Sequence, residues 1–254
     1  MHRIRVIPVL LLKGNGLYKT VKFKDPKYIG DPMNAVKIFN EKEVDELCFL
    51  DISTTVEKKE INYKIIAEIA SECFMPLSYG GGITHMDQMK KLFNIGIEKV
   101  IINTAAHSNT NLINEAASHY GSQSIVGCID VKKSLLGKYE VFTQSGRINT
   151  GKDPLEFARQ LQESGAGEIL INSIDRDGTM RGYDVELLKK ISSCLDVPMI
   201  ACGGAGSIED LSMAVKEGAA SAVAAGSMFV FHGKHKAVLI SYPTQSVIKL
   251  FSQL

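Results

Sequence analysis

The chain has almost no net charge: 29 Lys and Arg against 28 Asp and Glu over 254 residues leave +1. Without a basic excess there is no electrostatic case for holding nucleic acid as a polyanion. No apolar stretch approaches the roughly 18 residues needed to cross a bilayer, so no membrane partner is expected. Cysteine is sparse and unpaired. Cys48, Cys73, Cys128, Cys194 and Cys202 form no CxxC motif and mostly sit inside apolar runs, which suits small hydrophobes in a reducing cytoplasm. The N-terminus, MHRIRVIPVLLLKG, places basic residues before a short apolar run but lacks a small-residue cleavage site, so secretion is not expected. Histidine offers no metal site. His85, His107 and His119 stand apart, and His232 with His235 would form a helical i, i+3 pair only if Gly233 leaves a helix intact. No Gly-x-Ser-x-Gly elbow and no Cys/His pair points to covalent catalysis.

What the chain has in abundance is itself. Adding 122 to Pro76, Gly81 and Gly82 of PLSYGGG gives Pro198, Gly203 and Gly204 of PMIACGG, and the same step carries Glu46 to Glu168 and Gly96 to Gly218. A step of 119 lays Val6 to Leu11 on Ile125 to Asp130, so Leu11 stands opposite Asp130. Two equivalent halves predict a two-fold arrangement of site residues.

Short apolar runs recur at Val6 to Leu12, Glu46 to Ile52, Pro76 to Tyr79, Lys99 to Asn103, Ser124 to Ile129, Glu168 to Ser173, Pro198 to Ala201 and Ser221 to Ala225. Each lacks polar alternation, as strands buried on both faces of a parallel sheet do. Between them lie helical patterns at Pro32 to Glu43, Asn62 to Cys73, Met86 to Leu92, Asn111 to His119, Pro154 to Ser164, Asp184 to Cys194 and Ile208 to Lys216. Asp31-Pro32 and Asp153-Pro154 read as N-caps ahead of proline at the first helical position, and Gly96, Gly165 and Gly218 follow helices. Eight such units predict one (β/α)8 TIM barrel over 1–254, built from half-barrels of about 1–120 and 121–254. The 45% hydrophobic fraction supplies the core. The longest connections, Lys13 to Asp31 and Val131 to Lys152, follow the first and fifth strands and read as mobile polar loops on the C-terminal face, where barrel enzymes do chemistry. The second of them also reads as a small hairpin without functional meaning. Lys19, Lys22, Lys24 and Lys27 make the first either a solvated loop or an anion-handling one.

Gly80, Gly81 and Gly82, and Gly203, Gly204 and Gly206, each open a turn from a strand into a helix, where backbone N-H groups can approach an anion closely. Beside them lie Asn103-Thr104 and Ala225-Gly226-Ser227. The pair predicts a long ligand with a phosphate at each end. Asp130 closes the run IVGCID and should emerge at the barrel mouth as a general acid or base. Asp51 is placed to orient a substrate hydroxyl, while Asp175 and Asp177 flank Arg176, which is read as pairing with either. At the opposite strand ends Arg5, Glu46, Lys99 and Glu168 could close the N-terminal mouth as a ring of two cations and two anions.

FLDI (Phe49 to Ile52), YGGGI (Tyr79 to Ile83), INTAA (Ile102 to Ala106), GSQSIV and ID (Gly121 to Asp130), GAGEIL (Gly165 to Leu170), SIDRDGT (Ser173 to Thr179) and ACGGAG (Ala201 to Gly206) together resemble the cyclase subunit of imidazole glycerol phosphate synthase, over nearly the whole chain. The resemblance implies a partner glutaminase at the N-terminal face. The barrel would join its ammonia to a bis-phosphorylated ribonucleotide, PRFAR, giving imidazole glycerol phosphate and an aminoimidazole carboxamide ribotide. It places one phosphate on Gly82, Asn103 and Thr104 and the other on Gly203, Gly204 and Gly226, with Lys19 on the mobile first loop. Arg5, Glu46, Lys99 and Glu168 match the family's ammonia gate, and Asp130 matches one of two catalytic aspartates. The other position holds Leu11. No cofactor or metal is implied. RVIPVLLLK, VKFKDPKYIGDP and FHGKHKAVLISYP resemble divergent paralogues that work with a glutaminase and a sugar amidotransferase in surface-polysaccharide biosynthesis. The last of these segments replaces the family's charged final helix, and no eighth helix is read from it. Three functions follow from the resemblance: ammonia supply for acetamidino-sugar formation, a histidine-pathway cyclase, or a non-catalytic conduit that activates the glutaminase.

Overall fold

Runs of residues buried on both faces can hydrogen-bond only to one another, and here they do so in a ring. In the computed structural model, which describes residues 4–233 and 235–252, the barrel strands are Arg5–Lys13, Leu47–Asp51, Leu77–Gly80, Lys99–Ile102, Ile125–Lys133, Glu168–Ser173, Met199–Cys202 and Ala222–Ala225. Each pairs in parallel with the next, and the first closes on the last with Arg5 opposite Ala222 and Pro8 opposite Ala225. Helices Pro32–Glu41, Tyr63–Glu72, Met86–Ile95, Asn111–Tyr120, Pro154–Glu163, Val185–Ser192 and Ile208–Lys216 cover the outside. The expected (β/α)8 barrel is therefore what forms. Residues 1–3 of the basic N-terminal run, Lys234 of the FHGKH run and 253–254 lie outside the described residues. No helix among the described residues is long and apolar enough to cross a membrane.

Alternation along each strand sorts side chains into two cores. Val6, Leu10 and Leu12 of the first strand face the helices, whereas Ile7 and Val9 join Cys48, Val126, Leu170 and Ile200 in a separate cluster inside the barrel. Cys128 and Cys202 belong to that inner cluster too, so three thiols act as small fillers. The helix starts behave as the sequence indicates. Asp31 accepts from the N-H of Met33 and Asn34, and Asp153 from those of Leu155 and Glu156. Gly96 and Gly165 take φ of 112° and 101° just past their helices, a region glycine enters without steric cost.

Three parts of the chain depart from the sequence reading. The connections after the first and fifth strands, read as mobile loops, are ordered hairpins, and the second of them is the small hairpin also read there. Gly16–Val21 folds back antiparallel on the first strand, with Leu11 opposite Tyr18, and is followed by Lys24–Gly30. Tyr139–Thr143 does the same on the fifth, with Asp130 opposite Phe142. Both barrel strands run nine residues. They outgrow the barrel, and the hairpins satisfy the backbone groups that would otherwise lack partners. The third departure is at the end of the chain, where a helix does form at Gln245–Ser252. It is reached through a small hairpin, Phe231–His232 with Ala237–Val238, and Ile248 buries its side chain in the outer core. Gly233, at φ 69°, turns the chain between His232 and His235, so they do not form a helical pair.

Replacing Asp153 by Ala removes the acceptor for two helix N-H groups and is expected to lower the unfolding free energy by about 1 kcal/mol. Urea denaturation followed by circular dichroism measures it.

Candidate active site and N-terminal ion ring

A cavity of about 670 Å³ opens at the C-terminal ends of the strands. Lys19, Asp51, Gly82, Asn103, Thr104 and Asp130 line it, and so do Asp177, Gly203, Gly204, Gly226 and Leu11. These residues, read separately from the sequence, are thus brought to one place, whereas Asp175 and Arg176 border a separate cleft.

Asp130 is 8% exposed and receives two side-chain amides, from Asn103 at 3.0 Å and Asn172 at 3.4 Å. Burial, and then the charge of Asp177, push its carboxyl up to about 7, against the pull of those two amides. A carboxyl poised there can hold or release a proton near neutrality. Asn172 is a residue the sequence reading missed. Parallel pairing sets it directly beside Asp130, and its own Oδ1 is buried with no partner among the described residues. A buried acceptor of that kind costs about 1–3 kcal/mol and is a place where a ligand donor would be stabilised. The signal was available: Asn172 lies 122 residues beyond Leu50.

The other half of the barrel answers this pair with hydrocarbon. Leu11 is set beside Leu50 in the same parallel register that joins Asp130 to Asn172. Both leucines line the cavity, together with Val9 and Ile101. At these paired positions one half of the barrel offers a titratable carboxyl and an amide, and the other offers hydrocarbon.

Lys19 does not sit on a mobile loop. Its hairpin strand carries it to 7% exposure, where Nζ donates to the carbonyl of Val9 at 3.1 Å. The φ > 0 turn at Lys22 and Phe23 reverses the strand, and Lys22 N-H donates to the backbone carbonyl of Asp177 at 2.9 Å, tying the hairpin across the mouth. Burial lowers the Lys19 pKa and Asp177 opposes that. Burial likewise raises Asp177, opposed by Lys19 and by the Thr20 hydroxyl, which donates to it at 3.2 Å. Gly226 leaves room for the ammonium, since any Cβ there would collide with Lys19 Nζ. Of the four clustered lysines, Lys19 alone is turned inward, and Lys22, Lys24 and Lys27 are exposed.

The glycine turns are required by packing as well as by any anion. A Cβ on Gly81 would lie 2.8 Å from Asp51 Cβ, and one on Gly204 2.9 Å from Arg176 Cβ, both at positive φ. Gly82 N-H donates to Thr55 Oγ1 at 3.1 Å, and Thr104 Oγ1 accepts from Gln144 N-H at 3.1 Å. Asp51 Oδ1 accepts from Ser53 N, Ser53 Oγ and Thr54 N, so at least one of its oxygens is engaged in shaping the turn. The hairpin after the fifth strand, read as having no functional meaning, contributes Ser145 and Arg147 to the cavity wall. Arg176 pairs with neither neighbouring aspartate. Its guanidinium turns away from the mouth and donates to the carbonyl of Arg181 at 3.2 Å.

At the other end of the barrel Arg5 bridges Glu46 at 2.5 Å and Glu168 at 2.6 Å. Lys99 bridges the same two carboxylates at 3.0 and 3.1 Å. The four charges close a ring, with Glu46 3% exposed. Each carboxylate meets both cations, so the loss of one cation leaves neither carboxylate unpaired. Above the ring lies the inner apolar cluster, in which burial pushes the Cys48 thiol up to about 12 and raises Cys128 and Cys202 as well.

Comparison with known proteins agrees with this geometry. The family model of histidine biosynthesis proteins matches residues 5–236. A Pseudomonas aeruginosa protein provisionally named imidazole glycerol phosphate synthase subunit hisF2 is 57% identical over 243 residues, covering 96% of this chain and 97% of its own. A Leptospira borgpetersenii protein with the provisional name subunit HisF is 52% identical, covering 96% of each chain. A Vibrio vulnificus protein, provisionally subunit hisF3, is 50% identical over 97% of this chain and 95% of its own. With a closed eight-stranded barrel, a mouth built from two repeated halves and relatives matched along almost their full length, the chain belongs to the histidine biosynthesis protein family, among its HisF-type barrels.

Proposed function

We propose that this chain is the barrel subunit of a glutamine-amidotransferase-coupled synthase, and that it supplies ammonia for acetamidino formation on a nucleotide sugar of a surface polysaccharide. The observation that carries the reading is the contrast between a complete ion ring at one end and a half-inert acid-base site at the other. A glutaminase docked at the N-terminal face releases ammonia against Arg5, Glu46, Lys99 and Glu168. Displacement of one cation from the ring admits it. The interior column favours neutral ammonia over ammonium, because an unpaired charge is costly there, and its thiols stay protonated. At the mouth, Gly82, Asn103 and Thr104 receive one phosphate of a bis-phosphorylated ligand and Gly203, Gly204 and Gly226 the other. Lys19, Asp51 and Asp177 face its middle, and Asp130 exchanges one proton. A sugar amidotransferase is the further partner that accepts the ammonia. The suffixes in the names hisF2 and hisF3 accord with a paralogue of this kind.

Cyclisation of PRFAR needs proton transfer at two places, and leucine transfers none. Loss of a positioned acid or base typically costs about 10² to 10⁴ in rate. The second reading, a cyclase working on Asp130 alone, is favoured by the intact cluster of Asp130, Lys19 and Asp177. Purified protein with ammonium salts and PRFAR separates the two. We expect turnover below that of a two-aspartate cyclase by about 10² to 10⁴, rising in Leu11→Asp. Near-normal turnover of the parent chain would overturn the proposal in favour of the cyclase.

Asp130 also gives a signature in stability. Its carboxyl titrates at about 7 in the folded chain and near 4 when unfolded. Between those values the unfolded chain has released a proton that the folded chain keeps, so this group's contribution to stability falls as pH rises from about 4 to about 7. Asp130→Asn abolishes that loss. Urea unfolding is expected to show the variant gaining on the parent between pH 5 and pH 8; an unchanged difference would mean that Asp130 does not titrate in that window.

A further inference from the structure

The loop from Ile174 to Tyr183 has two working faces. Asp177 and Gly178 line the barrel mouth, while on the other side a second cleft of about 480 Å³ is bordered by Tyr139, Arg176, Arg181, Asp184 and Asp210. Its carboxylates are already occupied. Asp184 accepts from Tyr139 Oη at 2.9 Å and Leu187 N at 3.1 Å, and Asp210 from Gly206 N at 2.8 Å and Ser207 N at 3.0 Å. Asp175 accepts from Lys133 N at 2.8 Å, and Glu186 is bridged by Lys190 at 2.8 Å and Lys133 at 3.4 Å. Neither guanidinium meets a carboxylate among the described residues. Arg176 spends one N-H on the Arg181 carbonyl, and the exposed Arg181 borders the cleft.

The backbone that presents Arg181 is strained. Met180 stands at φ 57°, and its carbonyl packs so close to Gly206 that a Cβ there would be 2.6 Å away. A bulky residue in this region costs on the order of 1 kcal/mol and persists only where its surroundings hold it. Two unpaired guanidinium forks, on a loop fixed by strain and lining one cleft, match the oxygens of a phosphate group in a way a lone ammonium does not.

We propose that this cleft binds a phosphate-bearing anion, held between Arg176 and Arg181 beside the Tyr139 hydroxyl. A single carboxylate would engage one fork; a phosphate ester or pyrophosphate offers oxygens to both. The site is separate from the phosphate turns of the barrel mouth, yet Arg176 adjoins Asp177 in the chain, so occupancy of the cleft bears on the loop that holds Lys19's counter-ion. This inference does not depend on where the ammonia goes.

The test is a titration of the full chain with inorganic pyrophosphate, read by backbone amide NMR shifts, against sodium chloride at equal ionic strength. Amides of Gly182 and Tyr183 report the cleft; those of Gly82 and Thr104 report the mouth. We expect saturable shifts at Gly182 and Tyr183 that chloride does not reproduce, and at least tenfold weaker binding there in Arg176→Ala/Arg181→Ala with the mouth's response unchanged. Arg181→Ala alone, which removes no ion pair, should weaken the cleft response in the same direction. Shifts confined to the mouth, shifts matched by chloride, or cleft shifts indifferent to the substitutions would each overturn the proposal while leaving the barrel-mouth reading untouched.

Discussion

Closing eight parallel strands on themselves is the constraint from which the rest of the molecule follows. Closure removes every sheet edge but creates a column of side chains whose two ends must be finished differently. At the strand starts the solution is electrostatic, because charged residues opening the first, second, fourth and sixth strands converge there and neutralise one another. At the strand ends it is architectural: two strands overrun the barrel, acquire hairpin partners and raise walls around a cavity. Ring and cavity are thus consequences of one closure, and the column between them is apolar because it is the inside of the sheet.

Much of this was legible in the sequence. Unalternating runs such as VIPVLL and EILINS allow little but strands covered on both sides, and the 122-residue step from PLSYGGG to PMIACGG marks the turns at the barrel mouth. The ring was legible for the same reason, since Arg5, Glu46, Lys99 and Glu168 each open a strand. What was not legible depends on pairing across the chain. Composition cannot tell which of four lysines turns inward, and only the register of Gly16–Val21 on the first strand buries Lys19. Arg176 between two aspartates looks paired on paper, yet a turn at Asp175 to Gly178 directs it the other way. Asn172 was hidden inside an apolar run, although the repeat that exposed Leu11 would have exposed it too.

The asymmetry between the halves is sharper in three dimensions than in one. A single replacement at position 11 would be a missing group in a polar site. Paired with Leu50, it becomes a continuous apolar wall, facing a wall that carries a carboxyl, two amides and an unsatisfied acceptor.

Tyr242 joins the last segment of the chain to its first. Its hydroxyl donates to the carbonyl of Val6 at 2.9 Å and lies 3.3 Å from the Asp45 carboxylate, which in turn accepts from Val6 N at 3.0 Å. Val6 follows Arg5 and Asp45 precedes Glu46, so one tyrosine splints the backbone beneath two of the four charges at the entrance. The segment beyond the stretch that the family model matches is therefore in mechanical contact with the ion ring, and any remodelling of the tail also bears on the geometry of those four charges.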